Sequence, residues 1–260
     1  MSSDRTMVEL PETGYVFRSS WRVSSTDVDQ HETLSIDSMA RYLQEIGERH
    51  LIDAGAFEAH RFWVVRRTVI DVLRPIRWPD DVTLTRWCAG LSPRWCNMRV
   101  RIEGGKGGLV ETEAFWINMN METKGPSRME DEFFDRLSTT TDEHRLRWKP
   151  WLTASPEPGT ERPFALRHSD TDRQQHVNNA IYLLAVRELY PDHPDLFAGP
   201  FRLIVEYNKA ITYGEHVTIT TAETPDGVLV WILADGEARA HAAITRIPAG
   251  ATAAPGSSPH

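Results

Sequence analysis

Asp170, Asp172 and His176 stand close together in Ser169-Asp170-Thr171-Asp172-Arg173-Gln174-Gln175-His176-Val177-Asn178-Asn179-Ala180-Ile181-Tyr182. A carboxylate can act as a base or nucleophile, and an imidazole changes charge near neutral pH and can pass a proton. The apolar run from Ala180 predicts a helix, and free N–H groups at a helix start stabilise an oxyanion. Together these groups suit attack on a carbonyl. The same residues also have a structural use, because acids before a helix commonly cap it and its preceding turn. Asn178 and Asn179 read as capping residues, and Tyr182 as packing.

An earlier segment, Ser25-Thr26-Asp27-Val28-Asp29-Gln30-His31, repeats the Asp-x-Asp with a nearby histidine, 143 residues before (Asp27 to Asp170). The echo continues in Ile70-Asp71-Val72-Leu73-Arg74-Pro75-Ile76 and Val205-Glu206-Tyr207-Asn208-Lys209-Ala210-Ile211, now 135 residues apart (Ile70 to Val205). Two related units in tandem are the expected organisation. Asp27, Asp29 and His31 read as turn-forming residues, not as a second site.

The elements that must position these groups run in the same order twice. In the first round a strand over 15–23 leads to a helix in which Ile36, Met39, Ala40, Leu43, Ile46, Gly47, Leu51 and Ala54 recur at helical spacing, with Gly55 as its stop. Strands over 62–72, 82–88, 95–103 and 110–121 follow, separated by turn signals. The second round has a strand over 164–168, a helix over 178–190 that is apolar nearly all round, and strands over 201–207, 216–223, 227–235 and 238–247. This order predicts an α+β fold with an antiparallel sheet wrapped around a central helix in each half. The expected boundaries are an N-terminal segment 1–14, a first domain 15–122, a linker 123–160 with a little helix over 131–137, a second domain 161–247 and a disordered tail 248–260.

Composition narrows the function classes. With 40% hydrophobic and 25% charged residues the chain can build sizeable cores. A net charge of −8 argues against a general nucleic-acid binder. Arg61, Arg66, Arg67, Arg74 and Arg77 crowd one region, with Arg94, Arg99 and Arg101 soon after. They read either as a face for an acidic partner or phosphate, or as solvated arginines on the outer side of a sheet. No run of about 20 apolar residues occurs, so no membrane span is expected and the default address is the cytoplasm. Cys88 and Cys96 fall on facing strands of one hairpin. A cross-strand disulfide and two reduced thiols are both open, with thiols expected because no other disulfide framework exists. The histidines are scattered without the spacing of a zinc or iron site, so neither metal nor cofactor is expected.

Arg167 to Tyr182 resembles the acyl-acyl carrier protein thioesterases, built as two tandem hot-dog domains, and the similarity runs from about Tyr15 to Ile247. Leu43-Gln44-Glu45 with His50, and Val205-Glu206-Tyr207, are similar to that family's first central helix and to its strand entering the active site. Single-domain hot-dog acyl-CoA thioesterases also look similar around the Asp-x-Asp. The resemblance implies hydrolysis of a fatty acyl thioester, as in fatty acid biosynthesis, with acyl carrier protein as partner and the chain acting as monomer or homodimer. It places the catalytic groups at Asp172 and His176, with Gln174 where the family has an asparagine. Where the family has a glutamate four residues after Glu206, this chain has Ala210, so Glu206, Glu188 or a first-half residue would have to substitute, or hydrolysis is slow. The first half is expected to hold the acyl chain, with Trp63, Met39, Leu43, Val65, Phe115, Trp116 and Met119 as wall candidates and Asn178 at the site. Each wall candidate is equally a core residue. An acyl-CoA thioesterase and a non-catalytic acyl-binding double hot-dog stay open as alternatives, the second resting on Ala210.

Overall fold

The computed structural model describes residues 6–152, 155–156 and 161–248. The expected tail lies outside them apart from Pro248, as do residues 157–160 of the expected linker.

Two caps start the two main helices. Ser35 accepts from the Ser38 N–H to open α1 (Ile36–Asp53), which buries Ile36, Met39, Ala40, Leu43 and Ile46 on one face. Gly55, at φ +69°, takes the left-handed conformation that stops it. Asn178 accepts from the Ala180 N–H at 2.9 Å to open α3 (Asn179–Arg187). This helix ends short of the expected Tyr190, because Tyr190 precedes Pro191 and that position disfavours helical backbone.

The strands are β1 (Phe17–Arg22), β2 (Trp63–Arg74), β3 (Asp81–Ser92), β4 (Trp95–Gly104) and β5 (Leu109–Asn120) in the first half. After a short β6 (Gly125–Pro126), α2 (Asp131–Ser138) and β7 (Arg162–Phe164) come α4 (Pro194–Phe197), β8 (Phe201–Tyr207), β9 (Val217–Thr224), β10 (Gly227–Ala234) and β11 (Glu237–Arg246). Two expectations are corrected. The strand expected over 164–168 stops at Phe164, and His168–Asp170 is a tight 3-10 turn, because the Asp170 carboxylate accepts the Arg167 N–H at 2.8 Å. The strand expected to end at Cys88 continues to Ser92, past a bulge between Cys88 and Gly90.

All strands but β6 join in the order β1-β3-β4-β5-β2-β8-β11-β10-β9-β7, and β6 pairs with β5. The order reads the same from both ends once each second-half strand is matched to its first-half counterpart. Two antiparallel hot-dog sheets therefore meet edge to edge at β2 and β8, with Arg67 opposite Glu206 and Asp71 opposite Arg202. Both pairs are buried ion pairs, at 3.1 and 2.6 Å. The 135-residue offset carries Arg67 onto Arg202 and Asp71 onto Glu206 (67 to 202, 71 to 206), so the repeat turns one bridge into the other. Removing one partner of such a pair costs about 3–5 kcal/mol, since the other charge stays buried.

α1 and α3 pack against each other on the inner face of the joined sheet, over one apolar core drawn from both halves. A second cluster, Ala56, Cys88, Leu91, Cys96, Met98, Met129, Phe133 and Leu137, seats α2 against the β3–β4 hairpin. Much of the expected linker is thus folded onto the first half. Both cysteines are buried free thiols, and Cys88 faces Met98 while Cys96 faces Leu91, so the disulfide alternative does not apply. The arginine crowd is no single patch. Arg67 is buried on Glu206, Arg74 bonds the Gly107 carbonyl, Arg77 reaches His31 and Thr33, and Arg99 and Arg101 share Glu111.

Candidate active site

The loop from Asp170 to Asn178 is built by backbone hydrogen bonds around one carboxylate. The Asp172 N–H donates to the His176 carbonyl at 2.8 Å, and the Gln175 N–H to the Asp172 carbonyl at 2.9 Å. Asp172 Oδ1 accepts the Gln174 N–H at 2.8 Å and the His176 N–H at 3.3 Å. Among the described residues Oδ2 receives no hydrogen bond. Gln175 sits at φ +61°, which closes the turn. The loop is then stitched to the sheet by the Val177 N–H on the Ile211 carbonyl at 2.8 Å, and Ile211 is in turn held by its own N–H on the Tyr182 hydroxyl at 3.2 Å. Burial pushes that phenol up to about 12, so it stays neutral.

The first half repeats this loop bond for bond. Asp29 Oδ1 accepts the His31 and Thr33 N–H groups at 2.8 and 3.0 Å, Glu32 has φ +57°, and the Leu34 N–H bonds the Ile76 carbonyl at 2.9 Å. The structure therefore matches Thr33, not His31, to His176, and matches His31 to Gln174. The histidine echo in the sequence is off by one turn position.

Beside the second loop opens a cavity of about 430 Å³, within the size range of small-molecule sites. Its walls come from α1 (Leu43, Gln44, Gly47, Glu48, Leu51), from the sheet (Trp63, Arg86, Cys96, Met98, Trp116), from α2 (Phe133, Leu137), from Phe57 and Arg61, and from the loop (Asp172, Arg173, Gln174, Asn178, Asn179). Of the expected site residues, Asp172, Gln174, Trp63, Leu43 and Asn178 line this cavity. His176 does not. The residue is half-buried, and its imidazole makes no hydrogen bond among the described residues. Met39, Val65 and Phe115 are buried in the core, and Met119 is half-buried away from the cavity.

Asn178 fixes the loop to the first half. Its amide and that of Gln44 exchange two hydrogen bonds, at 2.9 and 3.1 Å. The Val177 and Asn178 N–H groups are already bonded, to Ile211 and Asp170, whereas the Asn179 N–H has no acceptor among the described residues. It is the free donor at this helix start, on a residue that faces the cavity.

The carboxylates proposed as stand-ins for Ala210 are elsewhere. Glu206 is buried on Arg67 and accepts the Trp151 and Leu152 N–H groups, pinning the connection between the halves. Glu188 caps the end of α3. Ala210 itself is exposed, its carbonyl bonded by Arg239. Glu48 and Asp172 are the two carboxylates on the cavity wall. Sequence reasoning missed Glu48, Arg86 and Arg173, and it had Arg61 only as one of a crowd of arginines. Only α2 left a signal, through Phe133 and Leu137 spaced one turn apart in a segment read as linker.

The model described as the acyl-ACP thioesterase N-terminal domain matches residues 14–137, and that of the C-terminal domain matches 153–245. An uncharacterized protein of Mycobacterium tuberculosis is 46% identical over 94% of this chain and 97% of its own. The chloroplastic oleoyl-acyl carrier protein thioesterase 2 of Arabidopsis thaliana is 26% identical, over 85% of this chain and 66% of its own. The crystal structure of an acyl-ACP thioesterase from Bacteroides thetaiotaomicron superposes with a TM-score of 0.73 at 17% identity, over 88% of this chain and 97% of that one, a likeness of fold. With both domain models matched in order across the two halves just described, this chain belongs to the acyl-ACP thioesterase family.

Proposed function

We propose that the protein hydrolyses fatty acyl thioesters, with acyl carrier protein as the carrier. The observation that supports this most is Asp172. One oxygen of its carboxylate holds the loop, and the other is unbonded among the described residues, on a residue that lines the cavity next to a free helix N–H.

In this reading the acyl chain enters the cavity and its carbonyl oxygen meets the Asn179 N–H. Asp172 Oδ2 takes the proton of a water attacking the carbonyl carbon, and the Gln174 amide orients that water. The carrier thiol stays outside the acyl cavity, so the group that protonates the departing thiolate belongs outside it too. In this reading that role falls to His176, whose backbone N–H is held by Asp172 Oδ1 in the same loop. Arg61 and Arg173 at the rim, bridged by Arg173 to the Arg61 carbonyl at 3.3 Å, suit an acidic carrier or its phosphate. Ala210 favours a second reading, an acyl-thioester-binding protein that hydrolyses slowly.

The test is thiol release from acyl carrier protein and CoA thioesters of medium to long chains, by the native protein beside Asp172→Asn and His176→Ala. Turnover lost in both variants supports hydrolysis, and the better carrier names the partner. Binding of the thioesters without turnover by the native chain supports the second reading.

A further inference from the structure

The cavity wall carries a charge that an alkyl chain cannot use. Arg86 lies on β3 between Leu84 and Cys88, which share its face of the strand and are 0% and 1% exposed. Alternation reserves that position for an apolar side chain. It instead carries a guanidinium, on a cavity wall that also holds Leu43, Leu51, Met98, Trp116 and Phe133.

Its partners make it an exception in this fold. The four arginines buried elsewhere, Arg67, Arg99, Arg202 and Arg239, each pair with a carboxylate: Glu206, Glu111, Asp71 and Glu215. Arg86 has no carboxylate partner among the described residues. Its Nη1 meets Nδ1 of His50, a ring that is fully buried and stacked on Phe17, and that burial keeps neutral. The other ionisable groups acting on Arg86 are the Cys88 and Cys96 thiols and the Tyr15 phenol, all uncharged near neutral pH. Glu48 lines the cavity too, but it is exposed and forms no ion pair with Arg86.

The facing helix leaves room for a counter-ion. Gly47 sits inside α1, where glycine costs about 0.5–1 kcal/mol relative to alanine. A Cβ there would meet a single atom within 4 Å, Arg86 Nη2 at 3.9 Å. This notch is about one helical turn, roughly 5 Å, beyond Gln44, which is bonded to Asn178 at the loop. Filling the cavity with plain hydrocarbon would strip water from a guanidinium and return nothing to it, whereas a carboxylate would meet it with two charge-assisted hydrogen bonds.

We infer that the cavity is built for an acyl group carrying a strongly accepting oxygen a few carbons from the thioester, a second carboxylate above all, bound by Arg86 in the notch left by Gly47. The inference rests on the cavity being the acyl site of the proposed thioesterase. It is tested by thiol release from matched CoA thioesters, succinyl against butyryl, adipoyl against hexanoyl and suberoyl against octanoyl, with 3-hydroxyoctanoyl against octanoyl as a neutral-oxygen arm. The native protein, Arg86→Met and Arg86→Lys are compared. In the native protein at least one oxygenated member should exceed its plain partner in kcat/KM by roughly 10- to 100-fold. Arg86→Met should erase that ratio, and Arg86→Lys should restore part of it. A native preference for plain chains with a ratio unchanged in Arg86→Met overturns the inference. Thermal unfolding with adipate or hexanoate keeps the two proposals separable. If no thioester is hydrolysed but adipate alone raises the Tm of the native protein and not of Arg86→Met, the pocket reading stands and hydrolysis falls. No shift and no turnover sink both.

Discussion

The loops 27–35 and 170–178 have the same backbone, the same carboxylate contacts and the same kind of tie to the sheet, yet it is the second that borders the cavity of about 430 Å³. Asp29 and Asp172 each spend Oδ1 on two N–H groups of their own loop. The difference lies in what surrounds them. In the first half β3 has 12 residues and α1 has 18, against 8 in β9 and 9 in α3, so the first half is long enough to wall a cavity and seat α2. In the second half Tyr190 stacks on Phe197, which meets Phe201 edge to face, beyond the end of α3. The Asp-x-Asp is therefore first a folding device present in both copies. Chemistry is assigned only to the copy that the other half supplies with a pocket.

The largest effect expected from breaking this comparison comes from the position where the second loop has His176 and the first has Thr33. His176→Ala should lower kcat by roughly 10²- to 10⁴-fold, the range of a lost acid–base group, while Thr33→Ala at the matching position changes it by no more than a few-fold. Steady-state thiol release measures both. Next is the seam. Glu206→Gln should destabilise the protein by about 3 kcal/mol in urea unfolding, because Arg67 then stays buried without its charge partner. Asp71→Asn at the repeat-related position should cost a similar amount. A smaller effect is expected at the joint between the halves. Gln44→Ala removes both bonds to Asn178, and it should cost about 1 kcal/mol of stability and on the order of 10-fold in kcat/KM as the loop shifts.

The smallest effect is on acid stability. Burial, with Arg86 and Arg136 nearby, holds the His50 pKa well below 6.5. Below that value the unfolded chain takes up a proton that folded His50 refuses, so this contribution is present above pH 6.5 and falls away as pH drops. Asp37 acts in the same direction. Burial raises its pKa, but Ser35, Arg41 and Arg187 more than offset that and leave it lowered, so its stabilisation is lost on protonation at still lower pH. Unfolding midpoints measured on either side of pH 6.5 should decline toward acid. A His50→Gln variant should flatten the upper part of that decline.

Much of this fold is legible in the chain because its signals are local and repeated. Helical spacing in α1, turn residues between the strands and the 135-residue echo each report one element or one seam, and β8 has the ends expected of it. The extended pattern over 164–168 predicts a strand, yet the strand ends at Phe164 and His168–Asp170 turns, because a side-chain bond to the backbone overrides a short extended pattern. Within the site, Asp172, Gln174, Asn178, Trp63 and Leu43 came from motif and resemblance and do meet at one cavity. Arg86 and Glu48 could not be found that way. One sits on a strand and the other on a helix among ordinary charged residues, and only the packing of α1 over β3 brings both to the wall. Met39 has the helical spacing of a wall residue but faces the core, one step round the helix from Leu43 and Gln44.

One loop acts and its twin only folds. The direct test is thiol release by Asp172→Asn beside Asp29→Asn, each checked for its Tm. Asparagine keeps an oxygen for the loop N–H groups in both, so both should fold. The account predicts loss of turnover by about 10³-fold or more in Asp172→Asn and native-like turnover in Asp29→Asn. Equal losses in the two variants, or full activity in Asp172→Asn, would contradict it.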